Sequence, residues 1–66
     1  MTFRQLEYIY VLIQEGSFTK AAKKLFISES ALSQQISGIE KEYKIKIINR
    51  LSRPITLTKE GYVIYE

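Results

Sequence analysis

The stretch SFTKAAKKLFISESALSQQIS, residues 17 to 37, decides how this chain folds. Ser17 is a good N-cap, and Phe18, Ala21, Ala22 and Leu25 then recur on one side of a short helix, with Lys20, Lys23 and Lys24 on the other. The two alanines let another helix approach closely. A loop of two or three residues follows before Ser28 caps a longer helix, in which Leu32, Ile36, Ile39 and Tyr43 form an apolar stripe at i, i+4, i+7 and i+11. At about 100° per residue, Ser30, Ser33, Gln34, Ser37 and Lys41 fall on the opposite side. Serine is a mediocre helix former because its hydroxyl competes for backbone groups. An ordinary solvated face would carry Glu and Lys, so an exposed row of short, uncharged hydrogen-bonding side chains asks for a partner.

Upstream, Phe3, Leu6, Ile9, Tyr10 and Ile13 predict an amphipathic helix over residues 3 to 15, stopped by Gly16, with Phe3 and Leu6 in the core. Downstream, residues 45 to 57 change character. A β-branched "IKII", a basic "NRLSR", a proline and "ITLT" predict two short strands joined by a basic turn, with Pro54 at an edge or strand start. Thr58 then caps a last helix, "KEGYVIYE". This order predicts a mainly α fold, a winged helix-turn-helix, with a three-helix core, a small β-hairpin wing and a C-terminal linker helix. Residues 1–57 are the expected domain, and residues 58–66 the start of the linker helix.

Sixty-six residues allow one small domain, and a hydrophobic content of 45% is too high for a disordered chain. Cysteine and histidine are absent and every acidic residue is a scattered glutamate, which leaves no basis for a disulfide, a thiol nucleophile, a zinc site or imidazole catalysis. An enzyme is not expected, and no cofactor or metal is called for. The apolar runs fall far short of the ~20 residues that span a bilayer, and nothing resembles a signal peptide, so the expected location is the cytoplasm. Residues 41 to 53 hold five Lys/Arg against one glutamate, and this local basic excess points to a polyanionic partner rather than to a merely solubilising surface. A helix entering the major groove needs short side chains that donate and accept toward base edges. Glutamate would be repelled by phosphate, and lysine would bind without discriminating.

At residues 17 to 40 the segments "SFTKAAKKL", "SESALSQQI" and "IE" resemble the N-terminal domain of the LysR-type transcriptional regulators. "INR" and "RPITLTKEG" resemble that family's wing and its lead into the linker helix. The resemblance spans essentially the whole chain. It implies a bacterial transcription regulator that binds double-stranded DNA at an interrupted palindrome. It also implies self-association as a dimer through the linker helix, a higher oligomer in the full-length protein, and a small-molecule effector bound only by a C-terminal domain absent from this chain. Four positions depart from the pattern. Glu29 stands where the family usually has Gln, Lys44 replaces a glycine that ends the recognition helix, Ile48 replaces an aromatic, and Gly38 is unusual within a helix.

The candidate DNA contacts carry alternatives. Ser28 is a helix cap before it is a base reader, and Glu29 either faces DNA, accepting from cytosine N4, or only complements the helix dipole. Ser30, Ser33 and Gln34 are the expected base readers, flanked by Gln35, Ser37 and Lys41. Thr19 and Lys20 are placed for backbone phosphates. Arg53 is expected to line the minor groove, where A·T tracts concentrate negative potential. Arg50 does the same or braces the wing against the recognition helix. Tyr62, Val63, Ile64 and Tyr65 cover most of a helix circumference and are the expected dimer surface. Two other readings stand beside this one, a winged-helix protein-interaction module and the DNA-binding domain of another winged-helix family. An RNA-binding role is disfavoured, because the tyrosines read as core or linker and not as an open stacking surface.

Overall fold

A computed structural model describes residues 2–65, with the side chains of Ile64 and Tyr65 outside that description. Helix α1 (Phe3–Glu15) opens with a capping box, in which the Thr2 hydroxyl accepts from Gln5 N–H and the Gln5 side chain accepts from Thr2 N–H. It closes on Gly16 at φ 72°, whose N–H donates to Leu12 at 2.8 Å. Ser17 Oγ then accepts from Lys20 N–H at 3.2 Å and starts α2 (Phe18–Leu25). The tight turn is made by Phe26 in the left-handed region at φ 59°, with Ile27 N–H returning to Ala22 at 3.0 Å. Ser28 Oγ accepts from Ala31 N–H at 3.0 Å and caps α3 (Glu29–Tyr43), which ends on Lys44, also left-handed, at φ 57°. Each junction falls where a hydroxyl or a left-handed residue satisfies backbone groups that a helix end leaves free.

The wing is minimal. Strands β1 (Ile48–Asn49) and β2 (Thr56–Leu57) pair antiparallel, Ile48 opposite Leu57, and α4 (Lys59–Tyr65) follows. The wing root is pinned to the α1–α2 turn by Ile55 N–H donating to Gly16 at 2.9 Å. A Cβ on Gly16 would stand 2.8 Å from Pro54 Cβ, so this turn needs glycine for space as well as for its positive φ. At the other end, Thr58 accepts from Gly61 N–H at 3.0 Å, donates to the carbonyls of Lys46 and Ile47, and so ties α4 to the segment leaving α3.

The core lies where α1, α2, α3 and the wing root meet. Ile9, Leu12, Ala21, Leu32, Ile36, Ile39 and Ile47 are essentially inaccessible to solvent. Each of the Leu and Ile side chains contributes about 1.5–3 kcal/mol of burial. Ala21 and Ala22 form the close-approach face of α2, as their size predicts, while Phe18 and Leu25 pack partly against the cluster.

Two core expectations are corrected. In α1 the buried residues are Tyr8, Ile9 and Leu12, whereas Phe3 is 86% exposed and Leu6 and Tyr10 also face outward. The helix is apolar around most of its circumference, and α2 and α3 cover the side centred on Leu12. Tyr43, expected to end the buried stripe of α3, is exposed, and the buried residue in that last turn is Glu40.

Candidate nucleic-acid interface

Capping at Ser28 aims α3 so that one long face is open. Glu29, Ser30, Gln34, Gln35, Ser37 and Lys41 are exposed along it, and Ser33 is half-buried among them. Thr19 and Lys20, both exposed, begin α2 beside the first turn of α3. A cleft of about 510 Å³ joins these elements, lined by the cap Ser17 with Phe18 and Thr19 of α2, Glu29, Ser30 and Ser33 of α3, and Arg53 and Ile55 from the wing. The two helix starts and the wing, distant in sequence, thus share one concave surface. A second cleft of about 390 Å³, at the far end of α3, gathers Lys41, Lys44, Lys46 and Arg50 around Ser37.

Arg50 and Arg53 divide. The Arg50 guanidinium donates to Ser33 Oγ at 3.3 Å and Ser37 Oγ at 3.0 Å, lies 5.0 Å from the centroid of the Phe18 ring, and stands 3.7 Å from Glu40 Oε1. It joins wing, α2 and α3, which is the brace among the two roles weighed from the sequence. Arg53 is exposed and folds over the wing turn, Nη1 donating to the carbonyls of Arg50 at 2.6 Å and Ser52 at 2.8 Å. Three of the five donors of a guanidinium then remain for another acceptor.

Two participants escaped the sequence reading. Phe18 carries Arg50 over its ring. Glu40 is 6% exposed, and its Oε2 accepts from Ile47 N–H at 2.8 Å and Ile48 N–H at 3.1 Å, anchoring the wing to α3. A sign of Glu40 was available, because it follows Ile36 by four residues and so lies on the buried row.

Ser28 acts as the cap that its sequence position predicts, and its hydroxyl also lies 3.3 Å from that of Ser30. Glu29 occupies the first turn of α3, where a negative charge complements the helix dipole. On α4, Tyr62 and Val63 are exposed, at 55% and 79%, whereas the side chains of Ile64 and Tyr65 fall outside the described residues. Among the described residues no group of acidic, His or Cys side chains is placed to hold a metal, and no helix is long and apolar enough to cross a membrane.

Residues 3–62 match the model of a family described as bacterial regulatory helix-turn-helix protein, lysR family. The whole chain aligns with the HTH-type transcriptional regulator BenM of Acinetobacter baylyi at 44% identity, covering 22% of that protein. It also aligns in full with the HTH-type transcriptional regulator BudR of Klebsiella aerogenes at 42% identity, covering 46% of it. The chain thus spans less than half the length of these relatives. Among solved structures, a complex of the BenM DNA-binding domain with benA site 1 DNA superposes with a TM-score of 0.91 at 45% identity, over 98% of this chain and 73% of that one. A complex of the CbnR DNA-binding domain with DNA gives 0.87 at 31% identity, over 98% and 75%.

Proposed function

The chain belongs to the lysR family of bacterial regulatory helix-turn-helix proteins, and from that membership we propose that it binds double-stranded DNA sequence-specifically, as the DNA-binding domain of a transcription regulator. Helix α3 lies in the major groove. Ser30, Ser33 and Gln34 meet base edges, and Glu29, Gln35, Ser37 and Lys41 flank them at bases or phosphates. Thr19 and Lys20 hold the phosphate backbone at the start of α2. Arg53, with donors to spare, reaches the minor groove or its phosphates from the wing. The observation that carries this reading is the cleft that unites Thr19, Glu29, Ser30, Ser33 and Arg53 on one face.

Self-association is proposed on a separate set of residues. Phe3, Leu6 and Tyr10 on α1 and Tyr62 and Val63 on α4 leave apolar area in water, which a domain of 66 residues accommodates poorly. Residues 58–66 act as the beginning of a linker helix that pairs with its copy and sets two α3 helices about 34 Å apart on an interrupted palindrome. In a longer protein a separate domain would bind the small-molecule effector and extend assembly beyond the dimer, in the cytoplasm. Selection of bound duplexes from random DNA tests the proposal. An enriched interrupted palindrome is the expected result, and equal recovery of all sequences would refute it.

A further inference from the structure

A guanidinium has only donors, so wherever Arg50 meets a serine hydroxyl the serine oxygen accepts. Arg50 does this twice, at Ser33 through Nη1 and at Ser37 through Nη2. A hydroxyl that accepts from a cation turns its own proton away from it. Among the described residues nothing else takes up that proton at either serine. Arg50 cannot readily swing out, because Phe18 lies under its guanidinium and Glu40 stands 3.7 Å from Nη2.

We propose that Arg50 is a positioning residue that fixes the hydrogen-bond polarity of the recognition helix, making Ser33 and Ser37 donors toward DNA. The inference rests on the DNA-binding reading above. In the major groove purine N7, guanine O6 and thymine O4 are acceptors, whereas cytosine N4 and adenine N6 are donors. Ser33, one turn from Ser30 and next to Gln34, therefore seeks an acceptor on the base it meets. Ser37, one turn further along, donates to a base acceptor or to a phosphate oxygen. Serine is ordinarily indifferent between donors and acceptors, and Arg50, by filling one of the two lone pairs of each oxygen from a cation, tilts that balance toward donation. The specificity of α3 thus depends on a wing residue whose own donors are turned inward.

The test starts from a duplex selected from random DNA by the wild-type chain, with Ser33→Ala identifying the base pair that depends on Ser33. That pair is then rebuilt with acceptor-weakened bases (a 7-deazapurine or 4-thiothymine) or with donor-blocked bases (N4-methylcytosine or N6-methyladenine). Wild-type affinity should fall roughly fivefold with the acceptor-weakened bases and stay nearly level with the donor-blocked ones. Ser33→Ala should respond to neither, and Arg50→Met should lose the difference while preferences elsewhere in the site persist. Thermal unfolding of each variant checks its fold, and Arg50→Leu, which likewise removes the donors, serves where Arg50→Met does not fold. Loss on donor blocking alone, no pair dependent on Ser33, or an unchanged acceptor preference in a folded Arg50 variant would each overturn the proposal. If the wild type selects no sequence at all, the DNA-binding reading itself fails, which is a separate result.

Discussion

Glu40 Oε2 accepts the backbone N–H of Ile47 at 2.8 Å, and the next N–H, that of Ile48, at 3.1 Å, inside the domain where neither has access to water. Replacing Glu40 by alanine leaves two buried donors unsatisfied. An orphaned buried group costs about 1–3 kcal/mol, so Glu40→Ala should lose roughly 3 kcal/mol. Glu40→Gln keeps an acceptor oxygen and should lose only about 1 kcal/mol. Urea unfolding of the two variants checks the order, and equal losses would show that the carboxylate serves charge rather than the backbone.

Base reading and phosphate holding should separate in mutants. Gln34→Ala is expected to cost ~1–3 kcal/mol and relax preference at one base pair, whereas Lys20→Ala should weaken every duplex alike and flatten the salt dependence by about one counterion. Titrations across a small duplex library at several salt concentrations measure both effects.

Glu29 is the departure from the family pattern nearest the DNA face, and it is exposed. Glu29→Gln removes a negative charge from the first turn of α3. Binding to unrelated duplexes should tighten several-fold at low salt, and one position of each half-site should change preference. If selection returns the wild-type site, Glu29 serves only the dipole of α3.

Two backbone positions can be improved. Lys44 ends α3 at φ 57°, a conformation that costs a side chain about 1 kcal/mol and glycine nothing. Gly38 is helical, and a Cβ there meets no atom within 4 Å. Lys44→Gly and Gly38→Ala should each stabilise the chain by ~0.5–1 kcal/mol and raise Tm by several degrees. Calorimetry of the single and double variants tests whether the gains add.

These residues also mark what a linear reading captures. The caps at Ser17, Ser28 and Thr58, the alanine face of α2 and the open row of α3 were all legible, because each depends on local periodicity or on hydroxyls adjoining helix starts. The face of α1 was legible only in part, through Ile9 and Ile13. Phe3, Leu6 and Tyr10 fit a helical period as well as Tyr8, Ile9 and Leu12 do, and only the tertiary placement of α2 and α3 selects between them. Phe26 in a left-handed turn and Glu40 in the interior contradict ordinary preferences for their residue types, and the contacts that compensate Glu40 come from residues seven and eight positions away. The site shows the same division. Arg50 and Ser33 are both visible as candidates, but their bond, spanning 17 positions, is a property of the folded chain.

The joint at Thr58 has a mechanical meaning. Gly61 sits so close to Ile47 that a Cβ would come within 2.3 Å of its carbonyl oxygen, and the Thr58 hydroxyl bonds the same carbonyl. Gly61→Ala should therefore prise α4 from its seat, costing about 1–3 kcal/mol in thermal unfolding. With that seat intact, α4 and the body of the domain turn together, and α4 works as the handle of a stiff lever. A rotation of α4 is thereby passed to the segment leaving α3 through the Thr58–Ile47 contact instead of being absorbed between them.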